Sequence, residues 1–139
     1  MAAKPFVMKR ILLSLALLPI ASTALAAAPI EGKWRNPKDS VVVRVAPCGA
    51  GAWCGTVIRA SDKVKANARK GGTNNIVGSR LLTGLKPAGG GTYRGRVFLP
   101  KHRITANATV RSAGADTMIV KGCAVAGVLC KEQRWTRVE

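Results

Sequence analysis

From Ile30 to the C-terminus the apolar residues come in short runs separated by Gly, Pro, Asn, Asp and Ser, and no long run keeps the period of a helix. That rhythm confines this part of the chain to an all-β fold. A first strand at 31–35 and runs at 40–46, 53–59, 80–85, 93–99, 104–111, 117–124 and 129–138 give about eight strands. Alternation is clean in two of them. Tyr93, Gly95, Val97 and Leu99 oppose Arg94 and Arg96, while Ile104, Ala106, Ala108 and Val110 oppose Thr105, Asn107, Thr109 and Arg111. Strands with one dry and one wet face belong in an antiparallel sheet, and eight is a number at which such a sheet closes into a barrel. Closure removes exposed edges and leaves an interior that is just filled or holds one small ligand. Gly95, Ala106 and Ala108 are small inward positions. They either leave a cavity or taper a barrel packed by Trp and Leu from other strands, and the short chain favours the packed version.

Residues 60–79 break the pattern. Lys63, Lys65, Arg69 and Lys70 precede a Gly71-Gly72-Thr73-Asn74-Asn75 stretch, with only scattered apolar side chains. The expectation is a long exposed loop with one helical turn near 64–69, which is either functional or a solvated insertion.

Ahead of the strands lies a different kind of segment. Lys9 and Arg10, an apolar stretch from Ile11 to Ile20, and Ala24-Leu25-Ala26 are the three parts of a secretory signal. The expected organisation is a signal peptide over 1–26 and one domain over 27–139, whether translation starts at Met1 or Met8. An uncleaved anchor competes, because 11–28 is nearly uncharged and about long enough to span a bilayer. Pro19 and the alanine-rich end argue for cleavage, and no cysteine follows the apolar run to carry a lipid. Removing 26 of the 139 residues leaves 113, and Lys4, Lys9 and Arg10 leave with them, so the net charge falls from +17 to +14. Such a charge attracts polyanions over a salt-dependent range and opposes self-association.

All four cysteines fall in the expected mature part, Cys48 with Cys54 and Cys123 with Cys130. An even count in a small exported domain reads as two disulfides, and four cysteines allow three pairings. The local pairs 48–54 and 123–130 are favoured, since each flanks a Gly-containing connection that turns the chain back. Zinc is disfavoured by both spacings and by the distance of the single histidine, His102.

No catalytic constellation is visible. His102 sits between Lys101 and Arg103 in a basic turn, the setting of a solvated imidazole rather than a tuned base. The acids Glu31, Asp39, Asp62, Asp116, Glu132 and Glu139 are scattered. No metal or other cofactor is expected. Arg59, Lys63, Lys65, Arg69, Lys70, Arg94, Arg96, Lys101 and Arg103 form a candidate anion-binding set. Few aromatics interleave with them, so base stacking has little support, and export makes nucleic acid an unexpected partner.

Gly32-Lys33-Trp34-Arg35, Val43-Arg44-Val45-Ala46-Pro47-Cys48-Gly49, Trp53-Cys54-Gly55-Thr56-Val57-Ile58, Gly78 with Leu82-Thr83-Gly84-Leu85-Lys86, and Gly122-Cys123 with the terminal Leu129-Cys130-Lys131-Glu132-Gln133-Arg134-Trp135-Thr136-Arg137-Val138 resemble the bacterial exported family DUF2147. The resemblance implies a periplasmic, calycin-like β-barrel without an established activity. It also implies that Gly32 and Trp34 on the first strand meet Arg137 or Arg134, beside Trp135 on the last, to close one end. The family's Asp-Asn-Pro and Tyr-Asp-Pro stretches are replaced here by Asp62 with Asn74-Asn75 and by Phe98-Leu99-Pro100-Lys101. The expected function is non-enzymatic binding of a small apolar ligand in the barrel or of an envelope polyanion on the basic surface. An envelope hydrolase with an unrecognised site is the alternative.

Overall fold

In the computed structural model, residues 30–124 and 129–139 are described, with Ala3 and 18–20 from the N-terminal segment. The signal peptide expected over 1–26, with its cleavage site, lies otherwise outside the described residues. Eight strands form one closed antiparallel barrel in sequence order: β1 Gly32–Arg35, β2 Val41–Gly49, β3 Ala52–Ala60, β4 Arg80–Pro87, β5 Thr92–Leu99, β6 Ile104–Ser112, β7 Thr117–Ala124 and β8 Leu129–Val138. Closure runs through β1 and β8, where Lys33, Trp34 and Arg35 pair with Val138, Arg137 and Thr136. The barrel expected from the alternation is therefore present, with every expected strand in it.

Turn chemistry sets the first hairpin. Asn36 Oδ1 accepts from the backbone N–H of Ser40 at 2.8 Å and of Val41 at 3.0 Å, and Asn36 Nδ2 donates to Ser40 Oγ. An Asx side chain of this kind holds the chain in a turn without a partner from elsewhere.

Residues 60–79 are not the exposed loop anticipated. Asp62–Lys70 forms a full helix, α1. Ser61 caps it, its side chain accepting from the N–H of Val64, Asp62 lies in the first turn, and Arg69 and Lys70 lie in the last. Charge and cap thus both complement the helix dipole. Nor is the segment merely solvated: Ala68 and Ile76 are 1 % and 3 % exposed and join the core, with Val64 packed against them. At Gly71 a Cβ would collide with the carbonyl of Pro100, so glycine is what lets α1 sit against the β5–β6 turn.

Because successive strands alternate in direction, the connections at 36–40, 61–79 and 100–103 share one end with the close of β7 and the start of β8. The other end holds the entry at Ile30 and the turns at 50–51, 88–91 and 113–116. Core packing is continuous between them, through Val43, Val45, Val57, Leu82, Leu85, Tyr93, Val110, Met118 and Trp135. No helix among the described residues is long and apolar enough to cross a membrane.

Candidate functional site

Alternate residues of β8 face the interior and shape both ends of the barrel. From the helix end they are Leu129, Lys131, Gln133, Trp135 and Arg137.

The end remote from α1 is shut. Trp34 is fully buried and its Nε1 donates to Ile30 O at 2.9 Å. The Arg137 guanidinium lies 4.2 Å from the centroid of that indole, donating from Nη1 to Glu31 O at 2.6 Å and from Nε to Ala115 O at 2.7 Å. A Cβ at Gly32, whose φ is +130°, would fall on Arg137 Nη1. Gly-x-Trp is thus one half of a lid whose other half is an arginine supplied from the last strand. Arg134, the other arginine considered for this place, is exposed on the opposite face of β8, in register with Ile119. Towards the same end Trp53 and Tyr93 meet edge to face, with centroids 5.7 Å apart, and Trp53 Nε1 is a buried donor without a partner among the described residues.

The helix end is open. A pocket of about 300 Å³ enters the barrel between β5, β6, β7 and β8. Val97, Ala106, Val120 and Gly122 form its apolar wall, Leu99, Ala124 and Leu129 its mouth, and Lys131 and Gln133 its polar side, with His102 at the rim. Below it the interior is filled. Gln133 Oε1 accepts from Trp135 Nε1 at 3.1 Å, so Trp135, itself 7 % exposed, supports the polar side from beneath.

The three small positions read from the sequence therefore separate. Ala106 lines the pocket, Ala108 is buried in core packing, and Gly95 is small for another reason. A Cβ at Gly95 would strike Thr83 O and Gly84, where β4 bulges towards β5. The barrel is neither wholly packed nor hollow: packing wins below Gln133 and space remains above it.

Both cysteine pairs form the short loops. Cys48–Cys54 staples the β2–β3 hairpin at the closed end, and Cys123–Cys130 joins directly opposed residues of β7 and β8. The second bond lies between the rungs Gly122–Lys131 and Ala124–Leu129, and so braces one wall of the pocket mouth.

The basic set divides by place. Lys63, Lys65, Arg69 and Lys70 ride on α1 and Lys101 and Arg103 lie in the β5–β6 turn, all at the open end. Arg94 and Arg96 are exposed on the outer face of β5, beside Thr109 and Asn107 of β6. Among the acids, Asp39 pairs with Arg59 at 2.6 Å, both largely exposed. No carboxylate lines the pocket, and no group of three potential metal ligands occurs among the described residues.

Lys131, Gln133 and Val120 were missed as site residues by sequence reasoning. Their signal was present: Lys131 and Gln133 share the parity of Trp135, so an inward Trp135 places them inward too.

A family model described as an uncharacterized protein conserved in bacteria, DUF2147, matches residues 32–137. No curated protein matches the sequence. Among solved structures, a protein from the human pathogen Helicobacter pylori described as belonging to the lipocalin family is similar, with a TM-score of 0.57 at 14 % identity over 78 % of this chain and 82 % of that one. At that identity the likeness is one of fold.

Proposed function

The chain belongs to the DUF2147 family, and from that premise we propose that it is a periplasmic, non-enzymatic binding protein that holds a small ligand of apolar body in the open end of its barrel. The observation that carries the reading is the pocket itself. An apolar-walled recess with a few convergent polar groups, opening at the mouth of a β-barrel, is the ordinary form of a small-molecule site. Its volume lies at the low end for such sites, which favours a small ligand. The likeness to a lipocalin-family fold supports the same reading. Residence in the periplasm is supported by two disulfides, which persist in oxidising compartments, and by the signal-like N-terminal sequence.

Mass spectrometry of extracts from natively purified protein tests the proposal. Wild type is expected to release a small molecule that an Ala124→Trp variant, blocked at the mouth, does not carry. Retention of the same molecule by a folded Ala124→Trp protein would place it elsewhere and overturn the reading.

A second reading, adhesion to an envelope polyanion such as lipopolysaccharide phosphates, is favoured by one observation. Six cations, Lys63, Lys65, Arg69, Lys70, Lys101 and Arg103, gather at the end where the pocket opens. The two readings are compatible, since a basic rim would hold the mouth against an anionic surface.

A further inference from the structure

We propose that the pocket selects a small anionic amphiphile, a medium-chain carboxylate being the simplest case, with its head on Lys131 and its apolar body against Val97, Ala106 and Val120. The inference rests on the pocket reading above and adds the headgroup to it.

Lys131 is a lysine on an inward position of a barrel strand, and its surroundings leave its charge unmatched. Its cross-strand neighbour is Gly122, which has no side chain to cover it, and it takes part in no ion pair among the described residues. The remaining polar groups are of matching character. With Gln133 Oε1 engaged by Trp135 Nε1, the Gln133 amide offers its N–H₂ group for further bonding. His102 at the rim donates from a ring nitrogen in either protonation state. The pocket thus presents donors and a cation, with no carboxylate.

Lys131 is exposed, so its ammonium stays hydrated beside an uncharged ligand, which offers it no partner. An anion supplies that partner, in a recess with mostly apolar walls where screening by water is weaker than at an open surface. The net positive charge of the chain adds long-range attraction for the same sign of ligand. The inward face of β8 from Leu129 to Gln133 spans four residue steps, roughly 13 Å. That length accommodates an eight-carbon chain.

Calorimetric titration of the oxidised protein with octanoate, 1-octanol and octylamine at low salt is the test. Octanoate is expected to bind roughly fivefold more tightly than octanol, the upper end for an ion pair on an exposed lysine, and octylamine most weakly. Lys131→Met should erase the preference for octanoate while leaving octanol unchanged, and Lys131→Arg should keep it. Equal affinity of wild type for octanoate and octanol, or a preference that survives in Lys131→Met, would overturn the headgroup assignment and leave the pocket reading standing. Absence of binding by all three probes, or binding unaffected by Ala124→Trp, would overturn the pocket reading and this inference with it.

Discussion

Trp34 and Arg137 are the pair on which the closed end depends. The indole is fully buried and the guanidinium lies on it while bonding two carbonyls from different segments, Glu31 O and Ala115 O. Trp34→Ala is expected to destabilise the domain by about 3–5 kcal/mol through the lost volume. Arg137→Ala should cost about 2 kcal/mol, from the stacking and the two hydrogen bonds, whereas Arg134→Ala should stay within about 0.5 kcal/mol. Urea unfolding of the singles and of the Trp34/Arg137 double checks this, and the pair should be non-additive because the groups touch. The partnership was legible because both halves sit in short motifs and because closing a barrel must bring the first strand to the last. Choosing between the two arginines needed the register, which pairs Arg137 with Trp34. Lys131 was passed over for a physical reason: it shares the parity of Trp135, but an inward lysine beside an outward Cys130 inverts the apolar-in, polar-out alternation by which inward positions are recognised.

Among the elements, α1 shows where local pattern stops being sufficient. Cap, acidic first turn and basic last turn were all written in the sequence around Ser61, Asp62, Arg69 and Lys70, yet the apolar residues were too few for a buried stripe to be seen. What holds the helix is tertiary. Ala68 and Ile76 join the core with Val64 packed against it, and Gly71 lies against Pro100 O of a turn about thirty residues later in the chain. Ser61→Ala should therefore cost about 1 kcal/mol, a cap's worth, while Gly71→Ala should cost about 1–3 kcal/mol because the added methyl forces the helix and the β5–β6 turn apart. The φ of Gly71 is −80°, a value alanine adopts freely, so any loss there measures the steric contact alone. Urea unfolding measures both, and hydrogen exchange over 62–70 and 100–103 should rise together in Gly71→Ala. Exchange rising in the helix alone would mean that the two elements are not coupled. All eight strands were legible in place because each carries its own period and turn residues, though β2 and β4 run on through residues 47–49 and 86–87, where Pro and Gly suggested turns. The pocket instead depends on which interior positions are filled by neighbours, a property no single strand displays.

At the scale of the whole molecule the chain is strongly cationic, with a net charge of +17 over its full length. Without residues 1–26 the chain carries +14, and the cations considered for anion binding are unevenly placed, with Lys63, Lys65, Arg69, Lys70, Lys101 and Arg103 at the pocket end and Arg94 and Arg96 on the barrel wall. Composition gives the sign and size of the field but not its direction, which comes from the topology that sets α1 and the β5–β6 turn at one end. If that end meets an anionic surface, sedimentation with vesicles containing acidic phospholipid should be strong at low salt. It should fade as salt passes a few tenths molar, where screening shortens the reach of each charge to about 5 Å. Replacing Lys63, Lys70, Lys101 and Arg103 by Gln should weaken adhesion far more than replacing Arg94 and Arg96, even when scaled per charge removed. All of these residues are exposed, so the substitutions should leave folding within about 0.5 kcal/mol each, and loss of adhesion can be read as loss of contact. Equal losses per charge from the two groups would mean that the field acts without orientation. Adhesion unchanged by salt would mean that charge does not drive it at all. The oriented outcome has a further consequence: the mouth of the pocket would face the surface, so that a ligand could pass between surface and barrel without crossing open water.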